Sequence, residues 1–298
     1  ARLTHATPAA TYDHIFDRNF EDDADAKKFK QVKGCVDIAA QLIDFPSRFQ
    51  KKYPWVDGLE VAMGGGRRSF IPKKNVKDPE SGKRGERLDG RDLTQEWLRQ
   101  YNNSAYVWNQ KGFNNIDPKK TDHLLALFNS SHMEYNLDRL EDKGGEPSLA
   151  EMTSKALKIL KKNPEGFFLQ VESGRIDHAH HATNPKRALN DTVEFAQAVK
   201  KAVEMTNPAE TLIIVTADHS HVFTIAGYPT RGNPILGKVV GNDANGLPKK
   251  AASLAADGFP YTTVGYTNGR GFYHLPKKKT ADAISDEAIN TKGRADLT

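Results

Sequence analysis

From Phe167 to His221 the chain reads FFLQVESGRIDHAHHATNPKRALNDTVEFAQAVKKAVEMTNPAETLIIVTADHSH. It opens on Phe167-Phe168-Leu169-Gln170-Val171, a short apolar run bounded by Gly166 and Gly174, which predicts a buried strand. Asn184 and Pro185 suit a helix start, because an amide side chain can cap free N–H groups and proline has none to leave unpaired. Leu189, Val193, Ala196, Val199 and Val203 then mark one helical face, and Asn207-Pro208 ends the pattern. Leu212-Ile213-Ile214-Val215 is apolar on both faces, as an interior strand is. Strand, helix, strand predicts a βαβ unit with parallel strands and a right-handed crossover. The expected fold class is α/β.

Upstream, Ser148-Leu149-Ala150-Glu151 fits a capping box, and Met152, Ala156, Ile159 and Leu160 continue at helical spacing to a stop at Asn163-Pro164. Residues 25–45 carry a helical pattern ending near Pro46, and Leu59 to Met63 is a candidate strand running into Gly64-Gly65-Gly66. Residues 72–90 read as a polar loop. Beyond about Gly227 the chain turns rich in Gly, Pro and Lys, so 1–228 is expected to form the core and 229–298 a small irregular insertion or subdomain.

The 298 residues are 38% hydrophobic and 27% charged, which excludes a disordered tail, and no apolar run approaches the roughly 20 residues that span a bilayer. The net charge of +5 raises nucleic acid as a partner. The basic residues argue against it: Lys73-Lys74, Lys161-Lys162, Lys249-Lys250 and Lys277 to Lys279 are short scattered runs without interleaved aromatics, as solvated surfaces are. Cys35 is the sole cysteine, and sequons at Asn102, Asn129 and Asn190 are compatible with secretion.

The chemistry gathers where the two predicted strands end. Glu172 follows the first, Asp218-His219 the second, and ligands collect outside the carboxyl ends of parallel strands. Asp177 and His181 are four apart, so on a helix they share a face, as two ligands of one ion must. Carboxylate with imidazole and no thiolate suits catalytic zinc, whereas Glu172 among oxygen donors suits magnesium. These residues alone leave open a metal hydrolase that uses activated water or Ser220, and a non-catalytic metal- or phosphate-binding module.

Val171 to His181 and Thr216 to Phe223 resemble two signature segments of the alkaline phosphatases of the animal type. Arg2-Leu3-Thr4-His5-Ala6-Thr7-Pro8-Ala9 through Asp17-Arg18 resembles a third. The likeness continues in order through Met63 to Arg67, Arg87 to Gly90 and Tyr106 to Asn109, and weakens after about residue 235. It implies a three-layer α/β/α sandwich around a largely parallel central sheet, with 229–298 a crown-like insertion. The implied activity is hydrolysis of phosphate monoesters through two zinc ions, one magnesium and a phosphoserine intermediate.

The resemblance also implies residue roles. Asp177 and His181 look like ligands of the first zinc, Asp218 and His219 of the second, and Glu172 and Thr7 of magnesium. Arg18 resembles the phosphate-gripping arginine, whose planar guanidinium can donate two parallel hydrogen bonds. His5, His178 and His221 look like supporting groups beside the metals. Glu80, the carbonyl of Phe128, Asn129 and Glu146 fall at the positions of a calcium site, with Asn129 and Glu146 departing from the usual Glu and Asp. The nucleophilic serine, an aspartate bridging zinc and magnesium, and a late His-x-Gly-Glu-Asp segment are expected outside residues 1–298, as is the partner of Cys35. This stretch alone is therefore expected to release little phosphate. An extracellular or cell-surface homodimer is implied, glycosylated and held to the membrane by a lipid anchor.

Overall fold

The computed structural model describes residues 1–28 and 34–267. The Lys277 to Lys279 run and the end of the 229–298 segment lie outside them. Two compact units divide the chain, residues 1–173 with 194–213 and residues 174–193 with 214–298.

In the first unit, a short turn of helix α1 (Ala6–Ala9) is followed by α2 (Asp23–Lys28), α3 (Ile38–Ile43) and α4 (Phe45–Phe49). The single helical pattern expected over 25–45 is therefore broken. Gly34 takes a φ of 81°, a left-handed geometry that glycine adopts without penalty. Asp37 then starts α3 afresh by accepting from the backbone N–H of Ala40 at 3.0 Å. The sheet comprises β1 (Val61–Gly64), β2 (Ser104–Val107) and β3 (His123–Leu127), with α5 (Leu93–Gln100) before β2 and α6 (Gln110–Asn115) after it. Its order is β1-β3-β2 and both pairings are parallel, Met63 facing Ala126 and Tyr106 facing Leu125.

Alternation along β3 builds the layers. Leu125 and Leu127 enter one core with Ile38, Leu42, Ile43, Leu93 and Trp97 of α3 and α5. Leu124 and Ala126 point into the other, with Phe113 of α6 and Met152 and Ile159 of α7 (Leu149–Leu160). Helices thus cover both sheet faces, as parallel strands buried on both sides require. The capping box of α7 forms as expected: Glu151 N–H donates to Ser148 Oγ at 3.2 Å, and Ser148 N–H donates to Glu151 Oε2 at 2.7 Å.

Residues 72–90 form a loop held by two buried arginines. Arg67 donates to Asp78 through Nε at 2.6 Å and to Glu80 through Nη2 at 2.9 Å. Arg87 donates to Asp37 at 2.8 and 3.1 Å and also pairs with Asp89. Such pairs offset the cost of burying charge only because nearly every lone pair is used.

The strands expected at Phe167–Val171 and Leu212–Val215 do not form. No described strand pairs with either segment; Phe168 is 83% exposed, Leu212 83% and Ile214 76%. Apolar composition favours burial, but a strand exists only through a neighbour's N–H and C=O groups. The helix between them does form, as α9 (Pro185–Met205), preceded by α8 (Arg175–His181). In the second unit β4 (Phe223–Ile225) pairs antiparallel with β5 (Val264–Tyr266), and the chain between them is built of turns and isolated bridges.

Candidate metal centre

Asp177 sits in the first turn of α8 and His181 in its last. The four-residue spacing brings His181 Nε2 to 3.4 Å from Asp177 Oδ1. The segment before β4 delivers two further imidazoles to the same oxygen. His221 Nε2 lies 2.7 Å away and His219 Nε2 3.6 Å. Donor atoms of Asp177, His181 and His221 all fall within 4.8 Å of one another. Asp218 stands beside His219 at 3.5 Å and is largely exposed.

Electrostatics fit this convergence. Burial opposes ionisation of Asp177, but the His221 hydrogen bond and the neighbouring His181 outweigh it and hold the carboxyl below its usual range. His219 is pushed up by its contact with the carbonyl of Ser220 and by Asp218. A carboxylate ringed by imidazole nitrogens is the donor chemistry of zinc. His221, expected as a support, is the imidazole closest to Asp177 among those three. His178 is on α8 as well, 3.0 Å from Arg175 Nη1.

The other expected residues belong to the first unit. Arg18 is exposed, and its Nη2 lies 3.1 Å from His5 Nε2. Burial lowers the pKa of His5, helped by the positive charges of Arg2 and Arg18. Gln170 Nε2 donates to the carbonyl of Thr7 at 3.2 Å, tying the segment that ends in Glu172 to α1. Glu172 lines an otherwise largely apolar cavity with Leu3, Tyr12, Val61, Met63 and Met152. His132 is a residue sequence reasoning missed: Arg2 N–H donates to its Nδ1 at 3.2 Å, and its ring meets His5 edge-on with centroids 5.0 Å apart. Only tertiary folding brings it there, across 127 residues from His5.

A second acidic cluster gathers the expected calcium residues. Glu146 is buried, accepting from Asn129 Nδ2 at 2.9 Å and from Glu134 N–H at 2.8 Å. Burial, reinforced by Asp142 and Glu134, pushes its pKa to about 7. Asp142, also missed from sequence, is raised to about 6 by burial and by Glu80, and its Oδ2 is buried without a hydrogen-bond partner. Glu80 accepts from Gly144 N–H at 3.1 Å and from Arg67. Phe128, whose carbonyl completes the expected set, directly precedes Asn129 and is fully buried. Crowded carboxyls with an orphaned oxygen fit a hard cation. The Asn129 sequon is committed to this cluster, whereas Asn102 is exposed.

The alkaline phosphatase family model matches residues 1–296. The human tissue-nonspecific alkaline phosphatase is 40% identical over 296 residues, covering 97% of this chain and 52% of the relative. The membrane-bound alkaline phosphatase of Bombyx mori is 40% identical over 275 residues, covering 91% of this chain and 46% of the relative. A mutant of TAB5 alkaline phosphatase solved with magnesium bound shares the fold, with a TM-score of 0.51 and 20% identity over 84% of this chain and 56% of that one. The chain spans about half the length of the relatives it matches. A family match along nearly all of its residues, with its carboxylates and imidazoles arrayed as above, places this chain in the alkaline phosphatase family.

Proposed function

We propose that the protein hydrolyses phosphate monoesters as a zinc- and magnesium-dependent alkaline phosphatase. The observation that carries this reading is the convergence of His181, His219 and His221 on one oxygen of Asp177, in a chain of this family. Asp177 and His181 would hold one zinc and Asp218 and His219 a second, while Glu172 and Thr7 would hold magnesium. The TAB5 relative with bound magnesium supports a metal requirement. Zinc, when bound, supplies Lewis-acid charge at a phosphoryl oxygen and favours the ionised form of an oxygen nucleophile.

The chain's own residues bind and orient. Arg18, exposed and steadied by His5, offers its guanidinium to two phosphate oxygens, so recognition centres on the phosphate and leaves the alcohol unspecified. His5, His178 and His221 are assigned supporting roles. The reading includes a phosphoserine intermediate, and none of the residues placed above is assigned as its serine. Calcium is proposed at Glu80, Phe128, Asn129 and Glu146. A homodimer at the cell surface, glycosylated and lipid-anchored, is proposed from family likeness, and the Bombyx relative is named as membrane-bound. No helix among the described residues is long and apolar enough to cross a membrane. Nucleic acid is not a proposed partner.

The test is metal stripping of the full-length protein with phosphomonoester hydrolysis as readout. Activity should vanish with chelation, return with zinc and magnesium, and fall at least 100-fold in Asp177→Asn. Hydrolysis that survives both treatments would sink the reading.

A further inference from the structure

Behind the Asp177 cluster stands a set of side chains to which no role has been given above. His180, on α8 next to His181, turns its Nδ1 to the hydroxyl of Tyr266 at 2.9 Å. Its ring lies 4.9 Å from that of His221 at an interplanar angle of 32°, and 5.1 Å from Phe223. Phe223 and Tyr266 are register partners across β4 and β5, their rings 5.5 Å apart. The small sheet therefore fixes two aromatic rings, which fix His180, and the His180 ring backs His221. His221 in turn puts its Nε2 2.7 Å from Asp177 Oδ1.

We propose that His180 and Tyr266 are positioning residues for the metal centre. The phenol sets the rotation of the His180 ring, and that ring, with Phe223, braces His221 in the orientation that keeps its Nε2 on Asp177, which would hold the metal together with His181. Imidazoles beside a metal are useful only in one orientation, which a partner on the outer side commonly fixes. Burial raises the pKa of Tyr266, so the phenol keeps its proton under alkaline conditions and its hydrogen bond persists there. The inference rests on the zinc reading above, and the experiment separates the two.

Zinc alone is titrated into the metal-free full-length protein in competition with a fluorescent chelator, and metal-free melting is measured in parallel. Asp177→Ala tests the reading itself and should abolish tight zinc binding; unchanged binding there overturns both the reading and the proposal. Tyr266→Phe keeps the ring against Phe223 and removes only the hydroxyl. His180→Asn keeps a polar atom near Tyr266 and removes the ring against His221. Zinc affinity weakened about 10-fold in either variant, at wild-type metal-free melting temperature, is the expected result. Wild-type affinity in both, with binding lost in Asp177→Ala, overturns the proposal and leaves the reading standing. Weakening that merely follows a lower metal-free melting temperature in both variants also overturns it, because the residues would then serve folding alone.

Discussion

Asp22 is buried at the start of α2, its Oδ1 accepting from the N–H groups of Ala24 and Asp25 and its Oδ2 from Ser69 Oγ at 3.0 Å. Burial, aided by Asp25, raises its pKa from 3.8 to about 6. A carboxyl raised on folding holds its proton better in the native state, so its contribution is best below the unfolded value and is lost as pH climbs through 6. Asp22→Asn keeps the acceptor oxygen without the charge. The variant should match the wild type near pH 4 and exceed it by about 1–2 kcal/mol at pH 8; denaturant melts at the two pH values measure this, and equal stability at both would refute it. At this scale sequence reading reached far where chemistry was local. Asp177 and His181 meet because four residues make one helical turn. His132 and Asp142 were invisible, because nothing in their own neighbourhood marks them, and His180, though it lies in the marked segment ending at His181, gave no hint of Tyr266, 86 residues on.

Among the elements, α7 was legible from end to end because its signals are local: a reciprocal cap, an apolar stripe and a proline stop. Ser148→Ala removes one half of that cap and should cost about 1 kcal/mol in chemical denaturation. Loss of under 0.3 kcal/mol would mean that packing of Met152 and Ile159 alone holds the helix. Of the runs read as strands, the one from Leu59 to Met63 pairs, as β1, and two others remain unpaired. Helix signals reside in one segment, whereas strand formation depends on a second segment that no local pattern names. The expected helix over 25–45 failed for the opposite reason, a glycine and an aspartate cap that interrupt an apparently continuous stripe.

For the molecule as a whole, the acidic cluster around Glu146, proposed above for calcium, crowds carboxyls that a bound cation would relieve. Calcium at about 100 times its dissociation constant should stabilise the native state by about 2.7 kcal/mol, by mass action. The measurement is the melting temperature of the full-length protein with and without calcium. A rise in the wild type that disappears in Glu146→Gln is expected; no rise in the wild type would remove the calcium assignment. The class α/β was readable because helices with one apolar face must cover a sheet. The boundaries between compact units, at 173/174, 193/194 and 213/214, were not readable, since composition shifts only after about residue 227.

The extended run Leu212-Ile213-Ile214-Val215 has a last consequence, for the life of the chain before it is fully assembled. It is uncharged, free of proline, β-branched at three of four positions, and largely open to solvent. Such a segment is a template onto which another copy can stack, so it is a site of co-aggregation for as long as it stays unpaired. Its folding is therefore a race between capture of that run by a proper neighbour and capture by its own kind.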